Sequence, residues 1–475
     1  MDVKELFEKI NCFAESLGLV SKAEGTTKGN AVIRKNIGSE AFISGQEEAF
    51  FGFIRPEESY SGGYSDLSLV IFPQKEKGAC IVALGVGSLG FNNDYPLAQL
   101  PGLRRAYLRL LADDEKSFCK TDFTDITSKC TGLQETLKCD EYKNLRHQIN
   151  KYETVLQAAR ILDPDNEKEF EILKAWLATY AYYRDWATSK KHTDEIKKAI
   201  NNGVEKAPCD EIKEINDLLL KRHFVVLQGA PGTGKTYNAS QIAKSFDYCF
   251  FEQFHAETNY SDFVYGIRPK LNEKDLQYEA REGILYQAIK KANENKTKKC
   301  LLIIDEINRA NLANVLGPVF YLFEYQTGTR PGKVKIGDLE PLDQLPPNLY
   351  VLATMNTADR SLAVVDFALR RRFAWYTLVP HEIDPGKEFI FHMELFKDFA
   401  RLFDKYATDE ELNLQPGPAY FITQAGENAV ADMTERIVYE LMPLMKEYFA
   451  EGLILRARDE FSNLFYEKTK KHLYR

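Results

Sequence analysis

Long apolar runs are missing: no stretch of the chain approaches the roughly 18 residues that a membrane span needs. The N-terminus, MDVKELFEKINCFAESLG, carries acids through its first two turns and lacks the apolar segment of a secretory signal. Cysteine is sparse, with eight positions (12, 80, 119, 130, 139, 209, 249 and 300) and no CxxC pair. The one group worth testing for metal, Cys119, Cys130, Cys139 and His147, has gaps far wider than the two-to-four spacing of zinc knuckles. Cys249 and Cys300 fall inside apolar strand-like runs, where a thiol acts as a small buried hydrophobe. A reduced cytoplasmic protein, with no membrane contact, is the expectation. Glycine (28) and proline (18) are too few among 475 residues for a collagen-like or disordered chain, and neither an internal repeat nor a low-complexity tract is visible.

What is present is the composition of an ordinary globular protein, 44% hydrophobic and 28% charged. At roughly 150 residues per domain, the length predicts about three domains. The formal net charge of −8 means that the surface as a whole repels nucleic acid and anionic membranes. Contact with a polyanion therefore requires a local basic patch.

Up to about residue 145, short apolar runs alternate with turns: AFFGFI (49–54), SLVIFP (68–73) and CIVALGVGSLGF (80–91). Runs of this length bounded by Gly, Pro and Ser predict strands of a mixed α/β module. PGLRRAYLRLLADDEK predicts a helix with Pro101 near its start and Arg105 and Arg109 one turn apart. A helical connector is expected over 146–205, where Leu173, Trp176, Leu177 and Tyr180 share one face. From 206 to 380, strand-like runs alternate with helical ones, which predicts an α/β core with a parallel five-stranded sheet. Its strands are FVVLQ (224–228), YCFFEQF (248–254), CLLIID (300–305), LYVLAT (349–354) and FAWYTLV (373–379), all expected to be buried. Helical periodicity returns over 381–475, as in RIVYELMPLMKEYFAEGL, and predicts a helical lid.

The strongest motif is GAPGTGKT (229–236), between the strand FVVLQ and the helical stretch YNASQIAKSF. This is G-x-x-x-x-G-K-[ST] in the strand–loop–helix context that nucleotide binding requires. The loop Gly229, Ala230, Pro231, Gly232, Thr233 and Gly234 can turn successive N–H groups toward a phosphate chain at a helix N-terminus. Lys235 is expected to reach the β- and γ-phosphates, and the Thr236 hydroxyl to ligate Mg²⁺. Downstream, CLLIIDEINRAN places two acids at the end of a buried strand. Asp305 suits a Mg²⁺ ligand and Glu306 a base for the attacking water, so the expected chemistry is nucleoside-triphosphate hydrolysis. A third strand ends in MNTADRS (355–361), presenting Asn356, and ALRRRF (368–373) follows. Consecutive arginines commonly form a solvated or DNA-facing surface, but in a ring they can reach a neighbour's nucleotide.

Four blocks together resemble the AAA+ domain of the McrB family, the nucleotide-hydrolysing subunits of modification-dependent restriction systems. They are GAPGTGKT; FHAETNYSDFVYGIRP (254–269) with REGILYQA (281–288); IIDEINRANLANVLGPVFYLFE (303–324); and MNTADRSLAVVDFALRRRF (355–373). The last is the most specific. The resemblance implies a hexameric ring with Asn356 as a sensor-type residue, Asp359 and Arg360 in the MNTxDR element, and Arg371 and Arg372 as fingers acting in trans. It also implies GTP rather than ATP, although the sequence shows no motif that reads the guanine ring, and a separate McrC-like nuclease. LQPGPAYFI (414–422) stands where the family often has a Gly-His-Ser-Tyr-Phe element, and Pro418 and Ala419 depart from it. Whether Arg456 or Arg458 acts as a second sensor stays open.

For the N-terminal module, the family analogy suggests a reader of DNA or of a modified base in it. Arg104, Arg105 and Arg109 would contact phosphate and Phe50, Phe51, Phe53 and Tyr107 would stack on bases. A protein-binding module, including one that senses a phage product, is the alternative. The lysines at 290, 291, 296, 298 and 299 read as a solvated helix end. No nuclease constellation is visible; the acids of LDPDNEKEFEILK (162–174) follow a helical pattern. The leading expectation is a ring-forming GTPase or ATPase, the motor subunit of a McrBC-like antiphage restriction system. The alternative is a MoxR- or dynein-related ATPase that remodels protein complexes without touching nucleic acid.

Overall fold

The apolar runs pair into two main sheets, each with its own core. The computed structural model describes residues 1–42, 49–74, 78–112, 114–129, 133–138, 142–204, 210–271, 276–324, 332–358 and 367–474. The chain divides into two units, Met1–Ala207 and Pro208–Arg475.

In the first unit, β1 (Val32–Asn36), β2 (Phe50–Ile54), β3 (Leu67–Phe72), β4 (Cys80–Val86), β5 (Ser117–Cys119) and β6 (Leu156–Leu162) form one antiparallel sheet in the order β1-β2-β3-β4-β6-β5. Side chains alternate between its faces. Phe51, Phe53, Leu69 and Ile71 pack one face against the helices Val3–Ser16 and Glu167–Tyr183. Phe72, Ile81, Ala83 and Ile161 pack part of the other against Leu133, Leu137, Leu145 and Ile149. The helix Glu167–Tyr183 starts at Asn166, whose side chain accepts the N–H groups of Lys168 and Glu169, and the predicted face of Leu173, Trp176, Leu177 and Tyr180 is buried.

The expected boundary at 145 and the helical connector over 146–205 differ from this arrangement. The run LQAARIL forms β6 inside the sheet, between β4 and β5, and the following helix completes the first unit's core. Ala158 and Ala159, buried on opposite faces, give this strand too little bulk to stand out as an apolar run.

A charged network secures the turn that ends β4. Asp66, buried with φ 69°, accepts the N–H groups of Asn92 and Asn93 at 2.7 Å and of Asp94 at 2.9 Å on one carboxylate oxygen. Burial pushes this carboxyl up, and the N–H donors, led by that of Asp94, outweigh it and hold it below the usual range. The carboxylate's contribution is therefore present above its unfolded value of roughly 3.9 and is lost as pH falls through the lower folded value. Asp66→Ala orphans the three donors and is expected to cost about 1–3 kcal/mol. Chemical denaturation at neutral pH checks this; an unchanged midpoint would contradict it.

In the second unit, β7 (Phe224–Gly229), β8 (Tyr248–Gln253), β11 (Cys300–Asp305), β12 (Leu349–Asn356) and β13 (Ala374–Thr377) form a parallel sheet in the order β13-β7-β12-β11-β8. The antiparallel hairpin β9 (Tyr265–Leu271) and β10 (Leu276–Glu282) lies between β8 and β11 in the chain. All five predicted strands are present, but β8 is an edge strand whose residues alternate between intermediate and exposed. Cys249 is consequently exposed, whereas Cys300, one strand inward, is buried as expected. Cys130, Cys139 and Cys209 lie outside the described residues.

The C-terminal helices gather around Phe399, Phe403, Phe421, Phe461 and Phe465. Here the predicted helix RIVYELMPLMKEYFAEGL is interrupted by a wider turn, Ile437–Leu441, before Met442–Ala450. Pro443 lacks an N–H, and the wider turn accommodates the ladder position it leaves unfilled.

Candidate nucleotide-hydrolysis site

Three strand ends of the second unit converge. β7 runs into the loop 229–234 and the helix Lys235–Ala243. Gly232 (φ 78°) and Gly234 (φ 85°) adopt left-handed backbone that other residues take at a cost, and this lets the loop curl. Thr233 Oγ1 donates to the Ala230 carbonyl at 2.8 Å and closes the loop. Lys235 is buried, its Nζ donating to the carbonyls of Gly229 at 3.0 Å and Ala230 at 2.8 Å. A phosphate chain entering the loop competes with these carbonyls for the ammonium.

β11 delivers Asp305 beside this loop. Thr236 Oγ1 donates to Asp305 Oδ1 at 2.9 Å, Thr354 Oγ1 to the same oxygen at 2.7 Å, and Gln253 Nε2 to Oδ2 at 3.4 Å. The chain then turns sharply: Glu306 takes φ 56°, ψ 47°. Its N–H donates to Thr354 Oγ1 at 3.0 Å. Asn356 Nδ2 donates to Glu306 Oε1 at 2.8 Å and Arg309 Nε to Oε2 at 3.2 Å. Thr236, Asp305, Glu306 and Asn356 thus form one hydrogen-bonded set through Thr354. The sequence reading passed over Thr354, Gln253 and Arg309. A lone hydroxyl in the otherwise apolar strand LYVLATM is the signal that marks Thr354.

The arginines of the helix Phe367–Arg372 are bound elsewhere in the chain. Arg371 and Arg372 pair with Glu324 Oε1 at 3.0 Å and 3.1 Å. Their surroundings differ: the Arg371 side chain is 72% exposed, whereas that of Arg372 is 12% exposed and lies over the Phe320 ring at 4.3 Å. Asp359 and Arg360 lie outside the described residues. Arg458 lies over the Tyr474 ring, and Arg456 falls in the short turn Leu455–Ala457.

The segment LQPGPAYFI reaches the phosphate-binding loop directly. The Gly417 N–H donates to the Pro231 carbonyl at 3.0 Å and that of Ala419 to the Gly232 carbonyl at 3.2 Å. A Cβ on Gly417 would lie 2.1 Å from the Gly232 carbonyl carbon, so only glycine fits. Gly417→Val forces the loop and the C-terminal helices apart. Overpacking of this kind costs about 1–3 kcal/mol, or about 5- to 160-fold in nucleotide affinity where it falls on the loop. Titration with a fluorescent nucleotide measures it, and unchanged affinity would contradict the coupling.

Residues 224–373 match the AAA domain of the dynein-related subfamily. This core is an AAA domain. AAA domains of this kind are nucleoside-triphosphatase modules, and the polar set above occupies the ends of β7, β11 and β12. The chain is 33% identical over 266 residues to the type IV methyl-directed restriction enzyme EcoKMcrB subunit of Escherichia coli (strain K12), covering 51% of this chain and 57% of that protein. It is 29% identical over 189 residues to the type II restriction enzyme BsuMI component YdiS of Bacillus subtilis (strain 168), covering 32% of this chain and 55% of that protein. The resemblance to McrB read from the motifs therefore extends beyond them. The chain spans about half the length of these two curated relatives. Among the described residues, no helix is long and apolar enough to cross a membrane.

The aromatic and basic residues expected to read DNA are largely interior. Phe51, Phe53 and Tyr107 are fully buried and Arg105 is buried, while Arg104 Nε donates to the Lys120 carbonyl at 3.0 Å. Alternation along β2 decides this: Phe51 and Phe53 face the packed helices, and Phe50 alone of the three faces the other way. The lysine cluster is a solvated helix end, with Lys290 paired to Glu282 and Lys298 to Asp247.

Proposed function

We propose that this chain is a ring-forming AAA+ nucleoside-triphosphatase, the motor and regulatory subunit of a McrBC-like antiphage restriction system. In this reading it assembles as a hexamer, hydrolyses GTP or ATP, with GTP favoured by the McrB resemblance, and drives a separate McrC-like nuclease. Its N-terminal unit contacts DNA. The observation that carries the hydrolysis reading is Glu306, held by Asn356 at 2.8 Å next to the Thr236–Asp305 pair.

Roles follow from position. The N–H groups of the loop 229–234 and Lys235 bind the phosphate chain, Lys235 exchanging the carbonyls of Gly229 and Ala230 for β- and γ-oxygens. The Thr236 hydroxyl and the Asp305 carboxylate are hard oxygen donors of the kind Mg²⁺ takes. When bound, Mg²⁺ offsets negative charge on the phosphates. Asn356 orients the Glu306 carboxylate, which takes a proton from water as the water oxygen bonds to the γ-phosphorus and the bond to the β-phosphate oxygen breaks. We assign the trans finger to Arg371, which is exposed, and an anchoring role to Arg372, which is packed on Phe320.

The dynein-related subfamily match and the burial of Phe51, Phe53 and Tyr107 favour a second reading, a remodeller of protein complexes. DNA binding across a salt series separates the two. The restriction reading predicts binding that weakens steeply with salt. No binding at low salt supports the remodeller.

A further inference from the structure

Residues 470–474 fold back along the helix Arg458–Thr469. Lys470 takes φ 57° where the helix ends, and its N–H donates to the Tyr466 carbonyl at 2.8 Å. The Lys471 N–H then donates to Thr469 Oγ1 at 3.1 Å, and Leu473 is fully buried among the phenylalanines of the C-terminal helices. Arg458, the first residue of the helix, lies over the Tyr474 ring at 4.5 Å. A reversal at one end and a ring contact at the other make residues 470–474 an ordered strap that runs the length of the helix, roughly 18 Å.

Strap and helix hold three exposed tyrosines, each with a cation on its ring. Besides Arg458 over Tyr474, the Lys470 ammonium lies over Tyr466 at 5.7 Å and the Lys471 ammonium over Tyr439 at 5.8 Å. The His472 ring also stacks on Tyr466, at 4.7 Å. Tyr439 stands on the wider turn Ile437–Leu441 and is 72% exposed. Among the described residues, Arg458, Lys470 and Lys471 reach no carboxylate, and the three tyrosine hydroxyls make no hydrogen bond. The acids nearby are engaged elsewhere. Glu440 holds Arg436 at 2.8 Å, Glu460 accepts the Tyr406 hydroxyl at 3.3 Å, and Lys468 reaches Glu467 at 3.8 Å. Asp459 stands in the first turn of the helix, where it complements the helix dipole.

We propose that this strip docks an extended acidic segment of another protein. Its free groups are the donors of three cations and three hydroxyls, and carboxylates accept from both kinds. At about 3.3 Å per residue, five or six residues of extended chain cover the strip. Acids outnumber basic residues over 381–475, so the strip is a local basic exception on a surface that repels long polyanions. Nucleic acid fits it poorly on a second count. Base stacking needs bare ring faces, and these rings carry the chain's own cations. A cation seated on a ring keeps its outward N–H groups for a carboxylate. The inference stands apart from the hydrolysis and DNA-contact readings above.

The test uses the full chain and rhodamine-labelled hexaglutamate, followed by fluorescence anisotropy, with hexalysine and single-stranded oligothymidine as comparison probes. Hexaglutamate is expected to bind saturably and more weakly as salt rises, and hexalysine not to bind. Lys470→Glu together with Lys471→Glu should weaken hexaglutamate binding by about tenfold or more, with nucleotide hydrolysis unchanged. Tyr439→Phe together with Tyr466→Phe keeps the rings and their cations but removes two hydroxyls, and should weaken binding about threefold to tenfold. No hexaglutamate binding, or equal binding by the wild type and both double variants, overturns the docking strip. Oligothymidine binding that exceeds hexaglutamate binding and is lost with the two lysines also overturns it, in favour of nucleic acid.

Discussion

Glu306→Gln is expected to bind nucleotide and assemble as the wild type does, and to hydrolyse about a hundred- to ten-thousandfold more slowly. The amide keeps the shape of the side chain and can still meet Asn356, whose Nδ2 now donates to Glu306 Oε1 at 2.8 Å. It cannot take a proton. The Asp305 cluster is untouched, because Thr236 and Thr354 both donate to Asp305 Oδ1 and the Glu306 backbone N–H alone ties the turn to Thr354. Phosphate release measured beside equilibrium nucleotide binding separates the two effects. Wild-type release would remove Glu306 from the role of base. Loss of binding together with release would give it a structural role instead.

Arg371→Ala should slow hydrolysis by about a thousandfold or more if its guanidinium meets charge developing on a neighbour's phosphoryl group. Within one chain that guanidinium pairs with Glu324 at 3.0 Å and is 72% exposed. An exposed ion pair of this kind is worth at most about 1 kcal/mol, so exchanging Glu324 for a phosphate across a subunit boundary costs little. Mixing gives the decisive reading. Lys235→Ala subunits bind no nucleotide but carry an intact Arg371, so mixing them with Arg371→Ala subunits should restore part of the activity. No restoration would place Arg371 in its own subunit's structure. Arg372→Ala should instead lower stability, since its guanidinium packs over the Phe320 ring at 4.3 Å.

The residues proposed for hydrolysis were legible because residue type and linear spacing single them out. GAPGTGKT between a strand and a helix, and two acids at the end of an apolar strand, carry their chemistry without reference to the rest of the fold. Thr354 was not legible in that way. It reaches Asp305 only because β12 lies beside β11 in parallel, with Ile304 opposite Ala353. The contact of Gly417 with Gly232 likewise joins segments far apart in sequence, and Pro418 and Ala419 obscured it by departing from the expected element.

In the N-terminal unit, apolar runs identified β2, β3 and β4, but strand alternation decided which aromatics were available. Phe50 lines a cavity on the other sheet face while Phe51 and Phe53 are core. The cavity itself has no linear signature. It arises where Gly52, Ser68 and Gly85 come together across three strands.

The central claim is a division of labour, in which this chain hydrolyses nucleotide and another cuts. It is tested most directly by incubating the purified protein with modified DNA, nucleotide and Mg²⁺, with and without a McrC-like nuclease subunit, and measuring cleavage. The account predicts intact DNA with this chain alone, cleavage when the nuclease is added, and none when Glu306→Gln replaces the wild type. Cleavage by this chain alone, or cleavage with the nuclease that survives Glu306→Gln unchanged, would contradict it.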